Sequence, residues 1–175
     1  MEPVFDRFEI RIQEVLDTCI VDLYNAGDSS RTGWTSTIKT ALCELKNEVN
    51  AGSDICLAAS SVENKDWIEW LFDVTLYIYS GGGDFRHLKR IHLAVECEWD
   101  YNPQEIQNDF EKLLVAKAQY KLMIFQAKDN DSLKNTISEL KTIIDNFPSY
   151  PEERYMFAAY SDEDGVFYFD LKVIK

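Results

Sequence analysis

Two apolar runs, "WIEWLFDVTLYIYS" (67–80) and "KRIHLAVECEW" (89–99), constrain this chain more than any other stretch. Both are rich in aromatic and β-branched residues and predict strands, over about 68–79 and 89–98. The "GGGD" break lies between them, and sequential strands usually pair, so an antiparallel hairpin follows. Symmetric pairing puts Asp73 opposite Glu96, within a slip of one or two residues. Each run is also interrupted by charge, Asp73 in the first and Glu96 and Glu98 in the second. Strand residues two apart share a face, so Glu96 and Glu98 lie together and three carboxylates converge at one end of the hairpin.

Like charges this close need a proton, a basic side chain or a metal to neutralise them. Oxygen ligands of this kind suit Mg²⁺, which binds through one or two carboxylates and supports water activation at a phosphoryl group. A solvated sheet face is the alternative, since such faces commonly carry charge. The apolar surroundings of Asp73 and Glu96 count against it.

The rest of the chain alternates helices and strands. Phe5, Phe8, Ile12, Val15, Cys19 and Leu23 recur at helical spacing and predict a helix over 3–25, ended by Gly27. Ile38, Ala41, Leu42, Leu45 and Val49 predict a second over about 35–50, before a short strand at 55–59. At "DYNPQE", Asn102 suits an N-cap, Pro103 the first helical position and Glu105 a capping box, giving a helix over 103–118. A buried strand at 120–126, a helix at 131–146 and two strands around "DEDG" complete an α/β domain with a central mixed sheet, one domain over 1–175.

The 175 residues are 46% hydrophobic and 13% aromatic, enough for a real core. No apolar run is long enough for a membrane helix, and the N-terminus carries no signal-like segment, so a cytoplasmic protein is expected. The four cysteines have no CxxC spacing and are expected to be reduced core thiols. A net charge of −13 argues against general affinity for nucleic acid, which needs clustered Lys and Arg. It does not exclude a metal-assisted site, because a bound cation offsets local negative charge. His92 is placed on the Glu96 face, and His87 and "SGGGDF" in the hairpin loop. Trp67, Trp70 and Trp99 flank the charged strands, as packing residues or, less directly, as surfaces for base stacking.

Helix 35–50, strand 55–59, the Asp73 strand, the Glu96-Cys97-Glu98 strand, helix 103–118 and strand 120–126 together resemble the αβββαβ core of the PD-(D/E)xK nuclease superfamily, the restriction-endonuclease-like fold. The resemblance covers about 35–126 and leaves the first helix, the last helix and the C-terminal hairpin as additions. It implies that Asp73 and Glu96 hold Mg²⁺ or Mn²⁺, and that the third motif position orients the attacking water. Phe72 stands where the motif has Pro, and Glu98 where it usually has Lys. Some members carry E-x-E here, and in others the lysine has moved to the following helix. Lys112 and Lys117 are both candidates for that, with Lys112 preferred. Glu44, and after it Glu48, match the further Glu that members place near the metal from the preceding helix.

The function expected is metal-dependent hydrolysis of phosphodiester bonds in DNA, with Asp73, Glu96, Glu98 and Lys112 catalytic and Asp73, Glu96 and Glu44 on the metal. The alternative is a catalytically inactive module of the same fold, acting in a larger assembly of phage defence or DNA processing. The missing lysine and the acidic charge favour the alternative. A basic protein partner would then supply the DNA contacts that this chain lacks, and an exposed apolar patch on the aromatic C-terminus would imply a partner or a homodimer.

Overall fold

The structure is a computed structural model that describes residues 3–27, 30–61, 70–80 and 86–175. Trp67, the first residues of the expected 68–79 strand and the glycines of the hairpin tip lie outside the described residues.

Six strands form one open mixed sheet in chain order: β1 (Ile55–Ser60), β2 (Val74–Tyr79), β3 (Leu88–Glu98), β4 (Ala118–Ala127), β5 (Arg154–Ser161) and β6 (Val166–Val173). β1, β2 and β3 form an antiparallel meander, β3, β4 and β5 run parallel, and β6 closes as an antiparallel edge. Helices α1 (Arg7–Ala26) and α2 (Arg31–Glu44) precede the sheet, while α3 (Pro103–Val115) and α4 (Asn130–Asn146) make the two parallel crossovers. Both crossover helices pack on the same face, as crossovers of one hand require.

Alternation along the central strands builds two cores. Leu122 and Ile124 of β4 face Ile12 and Leu16 of α1 and Ile38 and Leu42 of α2. Met123 and Phe125 face Phe110 and Leu113 of α3 and Leu140 and Ile144 of α4. β4 is therefore buried on both sides, which explains why "LMIF" (122–125) is apolar without a break. Full burial stabilises each such Leu, Ile or Phe by about 1.5–3 kcal/mol relative to exposure.

Local signals explain most element ends, with instructive departures. Asp6 caps α1 in a box with Glu9, and its other oxygen accepts from Tyr120 Oη at 2.7 Å, tying the helix to β4. Asp6→Ala is expected to cost about 1–2 kcal/mol in a urea melt, the range for a lost cap. Gly27 ends α1 in the left-handed region at φ 66°. The expected 35–50 helix instead begins at Arg31, because Ser30 accepts from the Gly33 N–H, and it tightens into a 3₁₀ turn at Leu45–Glu48. α3 starts where expected, with Asn102 accepting from the Gln104 N–H, but ends at Val115 rather than 118. The regular part of β2 starts only at Val74, with Trp70 and Phe72 in an isolated bridge before it. The aromatic C-terminus extends the sheet as β5 and β6.

The β2–β3 register differs from simple alternation at one place that matters. Leu76 pairs with Leu93 and Tyr77 with Ile91, so His92 is the extra residue of a β-bulge. Ile91 packs with the α3 and α4 side, whereas Leu93 packs with the α1 and α2 side. His92 stacks on Phe8 of α1 and on Tyr120, at centroid distances of 4.7 and 5.1 Å. It does not share the Glu96 face. The bulge adds a residue between them and reverses the alternation.

Candidate functional site

Val74 pairs with Val95, and continuing that register places Asp73 opposite Glu96. Both carboxylates sit where β2 begins and β3 ends. The helices that reach them come from opposite layers.

Glu96 follows Ala94 on the α3 face of β3 and is 2% exposed. The apolar stripe Ile106, Phe110, Leu113 and Leu114 lays α3 on the sheet. The Asp109 and Lys112 pair, three residues apart, then sits beside the strand end. Lys112 Nζ lies 2.7 Å from Asp109 Oδ1 and 3.1 Å from Glu96 Oε2. The second Glu96 oxygen, Oε1, is buried with no hydrogen-bond partner among the described residues. Burial pushes the Glu96 carboxyl up to about 8; the Lys112 hydrogen bond opposes this, and Asp73 and Asp109 add to it. Burial lowers the Lys112 ammonium, but its bonds to Asp109 and Glu96 outweigh this and leave it raised. Lys112 is thus a cation held chiefly by Asp109, beside a Glu96 carboxyl whose burial favours the protonated form.

Glu98 lies two residues on and partly exposed, and its Oε1 accepts the Asp100 N–H at 2.7 Å. Burial raises its carboxyl, with a contribution from the facing Asp109. On the other side, Asp73 Oδ2 accepts the Cys97 N–H at 2.8 Å and Oδ1 takes Lys39 Nζ at 2.5 Å. Lys39 is 5% exposed and also donates to Ser61 Oγ at 3.2 Å. Cys97 packs with the α1 and α2 core, and burial raises its thiol well above the ordinary range. Cys19, Cys56 and Cys97 carry free thiols.

The structure thus brings Asp73, Glu96, Glu98 and Lys112 to one end of the sheet. It does not bring Glu44 there: Glu44 is exposed at the end of α2 and accepts from the Asn47 amide at 2.8 Å. Glu48 instead pairs with Arg11 at 3.0 Å. Lys117 lies exposed in the link between α3 and β4. The residue that α2 does contribute is Lys39. Its signal was a lysine next to Ile38 on the helix stripe, three residues before Leu42. Asp109 was marked only by its spacing from Lys112.

Among the described residues no three His, Cys, Asp or Glu side chains are grouped to hold a metal ion. Asp73 and Glu96 lie opposite each other by register, and Mg²⁺ needs no more than one or two carboxylates. Comparison with known protein families, curated proteins and solved structures finds no match.

Proposed function

We propose that this chain is a nuclease-like protein of the PD-(D/E)xK kind, hydrolysing phosphodiester bonds in DNA with Mg²⁺ or Mn²⁺. The observation that carries the reading is the Glu96 carboxyl, which meets Lys112 through one oxygen and has the other buried without a partner among the described residues. A buried acceptor in that state calls for a proton or a cation. The succession α2, β1, β2, β3, α3, β4 supports the same reading, being the order that the resemblance implies. So does Lys112, a lysine on the helix after the acidic strand that reaches the strand's first glutamate.

On this reading Asp73 and Glu96 would hold the cation, which would polarise the scissile phosphate and lower the pKa of a bound water. Lys112 supplies positive charge for the phosphoryl oxygens, in place of the motif lysine. Glu98, held by the Asp100 N–H, is the further carboxylate available to orient water. Glu96 must lose its proton before it can bind a cation, so metal affinity rises about tenfold per pH unit up to about 8.

A catalytically inactive binding module on the same framework has its own supporting observation. Lys39 already neutralises Asp73 from a buried position. With a net charge of −13, such a module would rely on a basic protein partner for contacts with a polyanion.

Calorimetric titration with Mn²⁺ and cleavage of plasmid and single-stranded DNA separate the two. The expected result is one Mn²⁺ site that Glu96→Gln abolishes, with cleavage falling roughly a hundredfold or more in the same variant. A wild type that binds no Mn²⁺ removes the enzyme reading. Cleavage that survives Glu96→Ala comes from another site or a contaminant.

A further inference from the structure

A second feature lies across the sheet from Glu96. A cavity of about 390 Å³ opens at the carboxyl ends of the parallel strands. That volume falls within the range of small-molecule sites, about 300–1,000 Å³. In open α/β sheets, ligands bind outside the carboxyl ends of the strands. Trp99 follows β3, Gln126 lies near the end of β4 and Tyr160 near the end of β5; Trp34 enters from α2. Trp34 meets Tyr160 edge-on at 4.7 Å and Trp99 at 6.0 Å, so the cavity is walled by rings set at angles to one another.

We propose that this cavity binds a nucleotide, with the base against Trp34, Trp99 and Tyr160 and the phosphate at Arg31. Flat aromatic walls are sequence-tolerant platforms for any base, because every base has a π-face. Trp99 is 8% exposed and lines the cavity. Gln126 donates its amide to the Trp99 carbonyl, and Asp162 accepts from Tyr101 Oη. Their remaining oxygens are acceptors suited to the exocyclic amine of adenine, guanine or cytosine. Arg31 occupies the first turn of α2, where guanidinium and helix dipole both favour an anion. One cation matches the phosphate of one nucleotide, whereas the chain's net charge of −13 opposes a long polyanion.

The site goes beyond the nuclease reading and is tested by binding alone. The full chain is titrated calorimetrically with AMP, adenosine, UMP and the oligonucleotide dA10. AMP is expected to bind saturably and about tenfold more tightly than adenosine, the value of a charge-assisted contact. Arg31→Gln, an exposed substitution, is expected to reduce AMP to the affinity of adenosine. Trp34→Leu, with its melting temperature recorded to confirm folding, is expected to weaken both at least about tenfold. UMP, lacking an amine, is expected to bind more weakly than AMP. Arg31-dependent binding of dA10 that is tighter than that of AMP assigns the site to an unpaired base in a strand; equal or weaker binding assigns it to free nucleotide. No saturable AMP binding, or AMP affinity unchanged in Arg31→Gln, overturns the proposal.

Discussion

Raising the pH from about 4.5 to about 8 is expected to weaken the fold through Glu96 by roughly 1.4 kcal/mol per pH unit. The unfolded carboxyl titrates near 4.5, whereas burial holds the folded one up to about 8. Between these values the native state keeps a proton that the unfolded chain has lost. The contribution is therefore fully present below about 4.5 and is lost as the pH passes through about 8. Its ceiling is about 5 kcal/mol, reduced because Lys112 is 49% exposed and admits water to the pair. Glu96→Gln keeps the shape of the neutral acid and cannot ionise. Urea melts at pH 5 to 9 are expected to show the variant gaining on the wild type as the pH rises. A constant difference between the two would mean that Glu96 is ionised throughout. The same test bears on function, since a carboxyl that costs stability when ionised is retained for something other than folding.

Glu153→Ala is expected to cost about 3 kcal/mol, and Lys121→Met close to nothing. Lys121 is 1% exposed on β4, with Nζ donating to Tyr155 Oη at 2.9 Å and lying 3.2 Å from Glu153 Oε2. The ammonium also sits 4.4 Å from the centre of the Tyr155 ring. Burial lowers its pKa and Glu153 holds it up. Removing Glu153 leaves a buried cation unpaired, a loss of about 3–5 kcal/mol in fully buried pairs. The low end applies because the Glu153 side chain is 18% exposed. Replacing the lysine with an apolar side chain of similar length removes the charge together with its desolvation cost, which is often neutral or stabilising. Chemical denaturation of both variants checks the pair. A larger loss for Lys121→Met than for Glu153→Ala would make the lysine a net stabiliser.

The layer architecture was legible because the central strands are extreme. Apolar runs such as "LMIF" admit few positions other than the middle of a covered sheet, and the stripe of α3 fixes which way that helix lies. The order of the elements followed from these periodicities. Asp73, Glu96, Glu98 and Lys112 were legible because each departs from an apolar or periodic background. Glu44 was not placed correctly by the same means, because a glutamate on a helix looks alike whether it faces solvent or sheet. Lys39 was overlooked for the complementary reason. A lysine within a helical stripe reads as a solvated neighbour until a partly buried carboxylate is known to lie above it. The face of His92 was misread because alternation is counted from strand ends, and a bulge adds one residue to the count without any mark in composition. The aromatic cavity draws on α1, α2 and the ends of three strands, so no local pattern announces it.

The bulge at His92 breaks the count of β3 against β2 but not against β4. From Leu93 onward the strand is locked to β2 through Leu76, Thr75 and Val74 and to β4 through Tyr120 to Phe125. The part before the bulge pairs on its own count, with a further shift between Ile78 and Tyr79. Facing β2, β3 is therefore two stretches out of phase, whereas facing β4 it keeps one register from Ile91 to Glu98. Glu96 pairs with Met123, whose side chain packs with α3 and α4, so the parallel pairing holds Glu96 toward α3 whatever the count against β2.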